Sequence, residues 1–355
     1  MHVSEFDFDL PPELIAQAPP GERGASRLLV MDRATGAVTH RQFADLPGLL
    51  APGDVLVLND TQVFPARLLG RRLPGGGAVE CLLVQPLDAA SPAAVTWLSL
   101  VHPGARLREG SRLVFDGGPS GPVLHGEVLA RHFHGRRSVR LWTEDGSPVE
   151  AAIDRLGHMP LPPYIKRPDT PEDRARYQTI YARVRGSIAA PTAGLHVTAA
   201  LITALEARGV VRASVTLHVG YGTFQPVRVD EVEAHQVEAE RYAVSPDTAA
   251  TISRAKQAGR RVVAVGTTTT RVLESLAVDA DGTVRASEGE TSTFIHPGHR
   301  FRVIDGLITN FHLPRSSLLM LVSAFGGHAH VMAAYREAVA ARYRFYSYGD
   351  AMAIL

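Results

Sequence analysis

One cysteine in 355 residues excludes an intramolecular disulfide and any cysteine-rich metal site, and Cys81 alone fits a reducing compartment. No apolar run reaches membrane-spanning length, and the acidic start Met1–Asp9 has neither the basic stretch nor the apolar core of an export signal. Both absences point to the cytoplasm and away from a membrane. An excess of one charge is missing too: 37 Lys and Arg against 36 Asp and Glu give a net charge of +1, so any nucleic-acid-binding surface must be local. The chain has no Gly-x-Ser-x-Gly elbow, Walker loop, dinucleotide fingerprint or zinc-protease motif, and no internal repeat. What remains, 45% hydrophobic and 21% charged residues, is a globular composition with length enough for two domains.

The elements fall into two textures. Ser26–Asp32 and Asp54–Asp60 read as strands, the second a continuous apolar run of the fully buried kind, ending in Asn59 and Asp60. Leu10–Ala16 reads as a short helix entered through proline. From Arg67 to about Thr143, short β-rich runs separated by Gly, Pro and polar clusters suggest a small barrel. It ends at Ser147-Pro148-Val149-Glu150, a capping-box pattern starting a helix that Gly157 stops. His132 and His134 lie on one strand face within it, too few for a metal site. Beyond it, strand and helix alternate: Val211–Val219, a helix opened by Ser245-Pro246 and closed by Gly259, the strand Arg261–Val265, and a helix after Gly266. Phe301–Phe311 carries a hairpin signal about Asp305-Gly306, followed by a helix over Arg315–Phe325. The expectation is a larger α/β domain made of 1–66 and 151–355, with 67–150 inserted as a small all-β, barrel-like domain.

Polar clusters gather where these strands end, the usual place for a site in an α/β sheet. The loop Gly186–His196 is rich in small residues and runs into a helical pattern, which would set free N–H groups beside Thr192 and His196. Thr216/His218 precede Gly220-Tyr221-Gly222, Gly266-Thr267-Thr268 follow a strand, and Asn310, His312 and Arg315 follow another. Three histidines arriving at one edge with hydroxyls and an arginine point to proton transfer on a polar substrate. A metal-dependent hydrolase or lyase using His235, Glu238 and Glu240, or the pair His296/His299, is the rival. Lys166, Arg167, Arg174, Arg176, Arg183 and Arg185, interleaved with Tyr164, Tyr177 and Tyr181, form the best basic, aromatic surface for a phosphate backbone. The same stretch fits a solvated, salt-laced helix face, and a non-catalytic RNA-binding protein is the third reading.

Gly186–His196, Thr216–Gly220, Ala264–Thr268, Leu307–Pro314 and Tyr343–Phe345 with Ser347–Met352, together with Ala25–Leu29 and Leu58–Thr61, resemble the S-adenosylmethionine:tRNA ribosyltransferase-isomerase family of the queuosine pathway. The resemblance runs from end to end and is weakest in the insertion. It implies transfer and isomerisation of the ribosyl part of S-adenosylmethionine onto 7-aminomethyl-7-deazaguanine at the wobble position of tRNA. Epoxyqueuosine forms; adenine and methionine leave. S-adenosylmethionine is then a consumed substrate, with no further cofactor and no metal, and the protein a monomer of an α/β domain and an inserted barrel. For that chemistry His196 and His218, then His312, are expected as base and acid, with Thr192 beside them in the catalytic group. Asn59, Asp60, Gly194, Gly220, Gly266, Thr267, Thr268, Asn310 and Arg315 are expected to bind substrate, and Lys166, Arg167, Arg174, Arg176 and Arg183 of the basic stretch to bind tRNA. The sequence departs from the family's usual residues at Gln62, Glu238 and His299, so no essential role is expected of those side chains.

Overall fold

Strands apolar on both faces belong in the middle of a covered sheet, and that is where the chain puts them. The computed structural model describes residues 1–118, 121, 123–224 and 226–355, with the side chains of His134, Thr223 and Phe224 outside that description. Nine strands form one mixed sheet in the order Ser287–Thr291, Glu240–Val244, Val211–Leu217, Val55–Asn59, Val262–Val265, Gly306–Asn310, Ala351–Ile354, Arg27–Met31 and Val38–Gln42. The four strands from Val211–Leu217 to Gly306–Asn310 are mutually parallel, so all four carboxyl ends lie along one edge. Alternate residues go to opposite faces. Val55, Val57, Val262, Ala264 and Leu307 pack on the helices Pro246–Gln257, Thr267–Ser275, Ser317–Gly326 and His328–Ala340. Leu56, Leu58, Val263, Val265 and Ile308 pack instead against Leu201 and Leu205 of the helix Ala199–Ala207, and against Phe43 and Leu46.

The second sheet is a closed antiparallel barrel in the order Arg136–Trp142, Ala94–His102, Ala78–Ser91, Arg67–Leu73, Arg112–Asp116 and Val123–Arg131. Leu68, Leu83, Leu113, Phe115, Leu124, Val139 and Leu141 fill it, with Val149, Ala152 and Ile153 of the helix Val149–Leu156 in the same cluster. Gly70 is required by a close approach: a Cβ there would sit 2.3 Å from the Val114 carbonyl oxygen and 2.5 Å from the Phe115 ring. Cys81 is part of this core, and burial pushes its thiol up to about 12, so it is an inert apolar filler. The fold class is therefore an α/β domain accompanied by an all-β barrel.

Local expectations fail where side chains take over backbone hydrogen bonding. No hairpin forms over 301–311: only Gly306–Asn310 is a strand, because the N–H groups of Arg302, Val303 and Ile304 donate to the Glu274 carboxylate at 2.8, 3.0 and 3.0 Å. The expected helix over Leu10–Ala16 is a single 3-10 turn, Pro12–Leu14. Ser147 does not cap Val149–Leu156; its own N–H is held by Asp145, and Pro148 takes the cap position. His132 and His134 do not share a strand, since Phe133–Gly135 is a 3-10 turn; the side chain of His134 lies outside the described residues. The helix after Leu313 starts at Ser317, capped by Ser316, and leaves Arg315 in a left-handed conformation with φ of 57°.

Glu274 is thus a buried acceptor for three N–H groups. Glu274→Ala leaves those donors without partners and is expected to cost roughly 3 kcal/mol in urea unfolding. A loss under about 1 kcal/mol would mean that water replaces the carboxylate.

Candidate functional site

The carboxyl edge of the four parallel strands encloses a cavity of about 570 Å³, in the size range of small-molecule sites. Its walls include Thr192, Ala193, Gly266, Thr267, Thr268, Thr309, Asn310, His312, Arg315, Tyr164, Tyr346 and Ser347. Gly266, with φ of 95°, turns Val262–Val265 into the helix Thr267–Ser275, whose first turn and positive dipole end face the cavity. Thr192 belongs to a 3-10 segment, Thr192–His196, not to a helix start. The following helix begins at Ala199, where the Thr198 side chain accepts from the Leu201 N–H.

The histidines separate. His312 lines the cavity, hydrogen-bonded through Nε2 to the Thr309 hydroxyl at 2.8 Å; burial pushes its pKa down to about 3, so it is a neutral imidazole at pH 7. His196 is buried and does not line the cavity. Its Nδ1 meets the Ser26 hydroxyl at 2.9 Å, its Nε2 meets the Asn310 amide nitrogen at 3.0 Å, and its ring lies on Phe43. Burial lowers its pKa to about 4. His218 is half-buried beside Thr61, 2.9 Å from the hydroxyl, away from the cavity wall; burial, then Arg241, lowers its pKa.

Of the residues expected to bind substrate, Gly266, Thr267, Thr268, Asn310 and Arg315 line the cavity, whereas Asn59, Asp60, Gly194 and Gly220 do not. Asn59 ties strand ends together, accepting from the N–H groups of Thr61 and Leu217 at 3.1 Å each and donating to the Leu217 carbonyl at 3.0 Å. Asp60 accepts from Thr216 at 2.6 Å and Arg183 at 2.8 Å. Gly194 exists for packing: a Cβ would lie 2.1 Å from the Tyr181 hydroxyl oxygen. The Gly220 N–H donates to Glu240, which pairs with the buried Arg271. Arg315 is ion-paired with Asp7. Tyr164, Tyr346 and Ser347 were not expected in the site. The Tyr164 and Tyr346 rings lie 4.0 Å apart between centroids, and the Tyr164 hydroxyl bonds that of Ser347. Tyr346, at φ of 72°, is a strained backbone position of the kind that clusters at functional sites. Tyr164 belongs to the basic stretch, where its spacing suggests RNA, Ser347 gives only a family motif, and Tyr346 stands between two such motifs without a signal of its own.

That basic stretch folds down onto the protein. Among its described residues only Asp173–Arg176 is α-helical. Arg167 makes a bidentate pair with Asp173 at 2.6 and 2.8 Å. Burial alone would raise the Asp173 pKa, but Arg167, the Thr170 N–H and Tyr348 outweigh it and hold it at about 2. Arg174 donates to the Asp154 and Gly157 carbonyls, and Arg176 to those of Pro20 and Gly21. Arg183 pairs with Asp60 while remaining 76% exposed, and Lys166 is exposed. Of the residues weighed for a metal, Glu238 is paired with Arg136 and Glu240 with Arg271, while His235 packs its ring edge-on against Phe294. Among the described residues, no three His, Cys, Asp or Glu side chains converge.

A mostly apolar cavity into which hydroxyl, amide and imidazole groups converge at the carboxyl edge of an α/β sheet, with a barrel alongside, defines a two-part α/β enzyme of small-molecule chemistry. Comparison with known proteins gives the particular kind. The family model described as queuosine biosynthesis protein matches residues 3–354, and the chain belongs to that family. It is 54% identical over 355 residues, 100% of each chain, to the S-adenosylmethionine:tRNA ribosyltransferase-isomerase of Symbiobacterium thermophilum. It is 54% identical over 352 residues, 99% of this chain and 98% of the relative, to the protein of the same name from an Anaeromyxobacter species. Among solved structures, S-adenosylmethionine tRNA ribosyltransferase from Thermotoga maritima matches with a TM-score of 0.55 and 38% identity, covering 99% of this chain and 100% of that one.

Two buried neutral imidazoles set a pH dependence of stability. Below about pH 6.5 the unfolded chain takes up protons at His196 and His312 that the native chain refuses until about pH 4 and about pH 3, so stability falls as pH falls through that window. From pH 7 to pH 5 the two together are expected to remove roughly 3 kcal/mol of unfolding free energy in urea. In His312→Gln the fall should be about half as large.

Proposed function

We propose that this protein transfers and isomerises the ribosyl group of S-adenosylmethionine onto 7-aminomethyl-7-deazaguanine at the wobble position of tRNA, forming epoxyqueuosine and releasing adenine and methionine. The observation that carries the substrate arrangement is that Pro163 lines both the 570 Å³ cavity and a second cleft of about 280 Å³. That cleft lies between barrel residues Arg67, Glu80, Leu100 and His102 and larger-domain residues Leu161, Ile188 and Tyr221. A small substrate held in the first can thus meet an RNA nucleotide entering by the second. In this reading 67–150 positions tRNA and 1–66 with 151–355 carries the chemistry, in a cytoplasmic monomer.

A sulfonium acidifies the adjoining ribose carbon, and departing adenine needs a proton. His312 is the imidazole at the cavity wall, so the proton-handling role goes there, ahead of His196 and His218. Thr192 and the hydroxyls of Thr267, Thr268 and Thr309 orient ribose oxygens, and the helix dipole behind Gly266 favours the methionine carboxylate. No metal takes part in this scheme.

Incubation with S-adenosylmethionine and precursor tRNA should release free adenine at a rate that chelators leave unchanged. His312→Gln should lose roughly 100-fold or more in turnover, His218→Gln only a few-fold. Loss of wild-type activity on chelation would revive the metal-dependent reading, and adenine release by His312→Gln at the wild-type rate would return that imidazole to a structural role.

Among the basic residues, Arg183 is the exposed one with a carboxylate partner, so Arg183→Ala should weaken tRNA binding and reduce its salt slope by about one unit. Arg174→Ala and Arg176→Ala, which remove anchors to main-chain carbonyls, should lower thermal stability and leave that slope unchanged. Equal slopes in all three variants would remove the assignment to Arg183.

A further inference from the structure

We propose that the Asn310 side-chain oxygen accepts a hydrogen bond from an N–H or O–H of the bound nucleoside, and that His196 is the positioning residue that holds Asn310 for this task. The proposal rests on the reading that the cavity takes S-adenosylmethionine.

The orientation of the Asn310 carboxamide follows from its partners. Its nitrogen lies 3.0 Å from His196 Nε2, 3.1 Å from the Tyr346 carbonyl oxygen and 3.4 Å from the Asp350 carbonyl oxygen. Two of the three are carbonyls, which only accept, so the reversed amide would set oxygen against oxygen twice. The amide must therefore donate on this side, and His196 Nε2 must accept. That leaves the His196 proton on Nδ1, where the Ser26 hydroxyl receives it at 2.9 Å. Burial keeps the ring neutral and so preserves the acceptor.

With its nitrogen side committed, Asn310 has one polar atom left. Oδ1 is buried without a hydrogen-bond partner, on a residue only 2% exposed that lines the cavity. A buried acceptor left unmade is costly, and a ligand donor satisfies it. His196 has both ring nitrogens engaged and stands outside the cavity lining, which suits a group acting through Asn310 and not on the substrate. Of the polar groups on a nucleoside, the ribose hydroxyls and the adenine amine can donate.

The experiment is a coupling measurement with S-adenosylhomocysteine as a non-reacting probe, read by calorimetry, alongside adenine release from S-adenosylmethionine and precursor tRNA. Asn310→Ala should weaken binding about 10- to 100-fold. His196→Leu, which keeps bulk but removes the acceptor, should weaken it about 10-fold in the wild-type background and have little further effect in Asn310→Ala. His196→Gln, whose side-chain oxygen can accept, should recover most of the loss. If the histidine variants prove unstable, Ser26→Ala, which only frees the tautomer, should still show a several-fold loss. Probes lacking the 2′- or 3′-hydroxyl, or carrying a dimethylated amine, identify the donor: the one that Asn310→Ala no longer discriminates against has lost its partner. Full additivity of His196→Leu and Asn310→Ala, or loss of discrimination at none of these groups, overturns the proposal. So does a His196→Gln variant that binds the probe normally yet cannot release adenine, because the imidazole would then be needed for proton transfer. A wild-type protein that binds the probe but releases no adenine would refute the ribosyl-transfer reading and leave the coupling result standing; one that releases adenine without binding the probe overturns the proposal and leaves ribosyl transfer standing.

Discussion

The Asn59 carboxamide is the fastening on which the site depends. Val55–Asn59 lies between two parallel neighbours, and just past its end the ladder stops. There Asn59 replaces the missing ladder bonds, accepting from Thr61 and Leu217 and donating to Leu217. Without those bonds, buried backbone groups at the place where two strands diverge would have no partner. With them, the edge opens into loops whose positions are set by main-chain hydrogen bonds, and the cavity is the space those loops leave.

Around that space, charge is held back and paired. Asp60 with Arg183, Asp173 with Arg167 and Glu240 with Arg271 lie outside the cavity lining, while the polar part of the walls presents hydroxyls, the Asn310 amide, the neutral His312 imidazole and Arg315, itself paired with Asp7. A sulfonium substrate carries its own charge into such a site. A charged imidazole in the wall would repel it, and burial keeps His312 and His196 neutral. The same burial connects folding to chemistry, since each imidazole kept neutral for the site makes the fold more sensitive to acid.

Where sequence reading succeeded, local pattern and tertiary structure ask for the same thing. Residues 55–58 of Val55–Asn59 are apolar throughout because both faces of the strand are covered, and in the barrel all but one pair of consecutive strands are antiparallel neighbours, so the turn residues between β-rich runs mark the joins. Where it failed, a side chain from elsewhere intervened. Residues 301–304 have a strand's composition, but Glu274, distant in sequence, takes their N–H groups. Arg174 and Arg176 have a binding surface's composition, yet main-chain carbonyls from two other segments claim them.

The sequence by itself determined the alternation of apolar residues, the Gly and Pro positions that end each element, and therefore which loops stand at strand ends. It also carried enough contiguous motif to show its family. Which histidine reaches the cavity was a matter for tertiary structure alone. His196, His218 and His312 occupy equivalent places in the local pattern, each at a strand end or beside one. Their separation into a residue behind Asn310, one beside Thr61 and one in the wall follows from contacts with Ser26, Thr61 and Thr309. Two of those contacts join residues more than 150 positions apart, and no local period encodes a meeting at that distance.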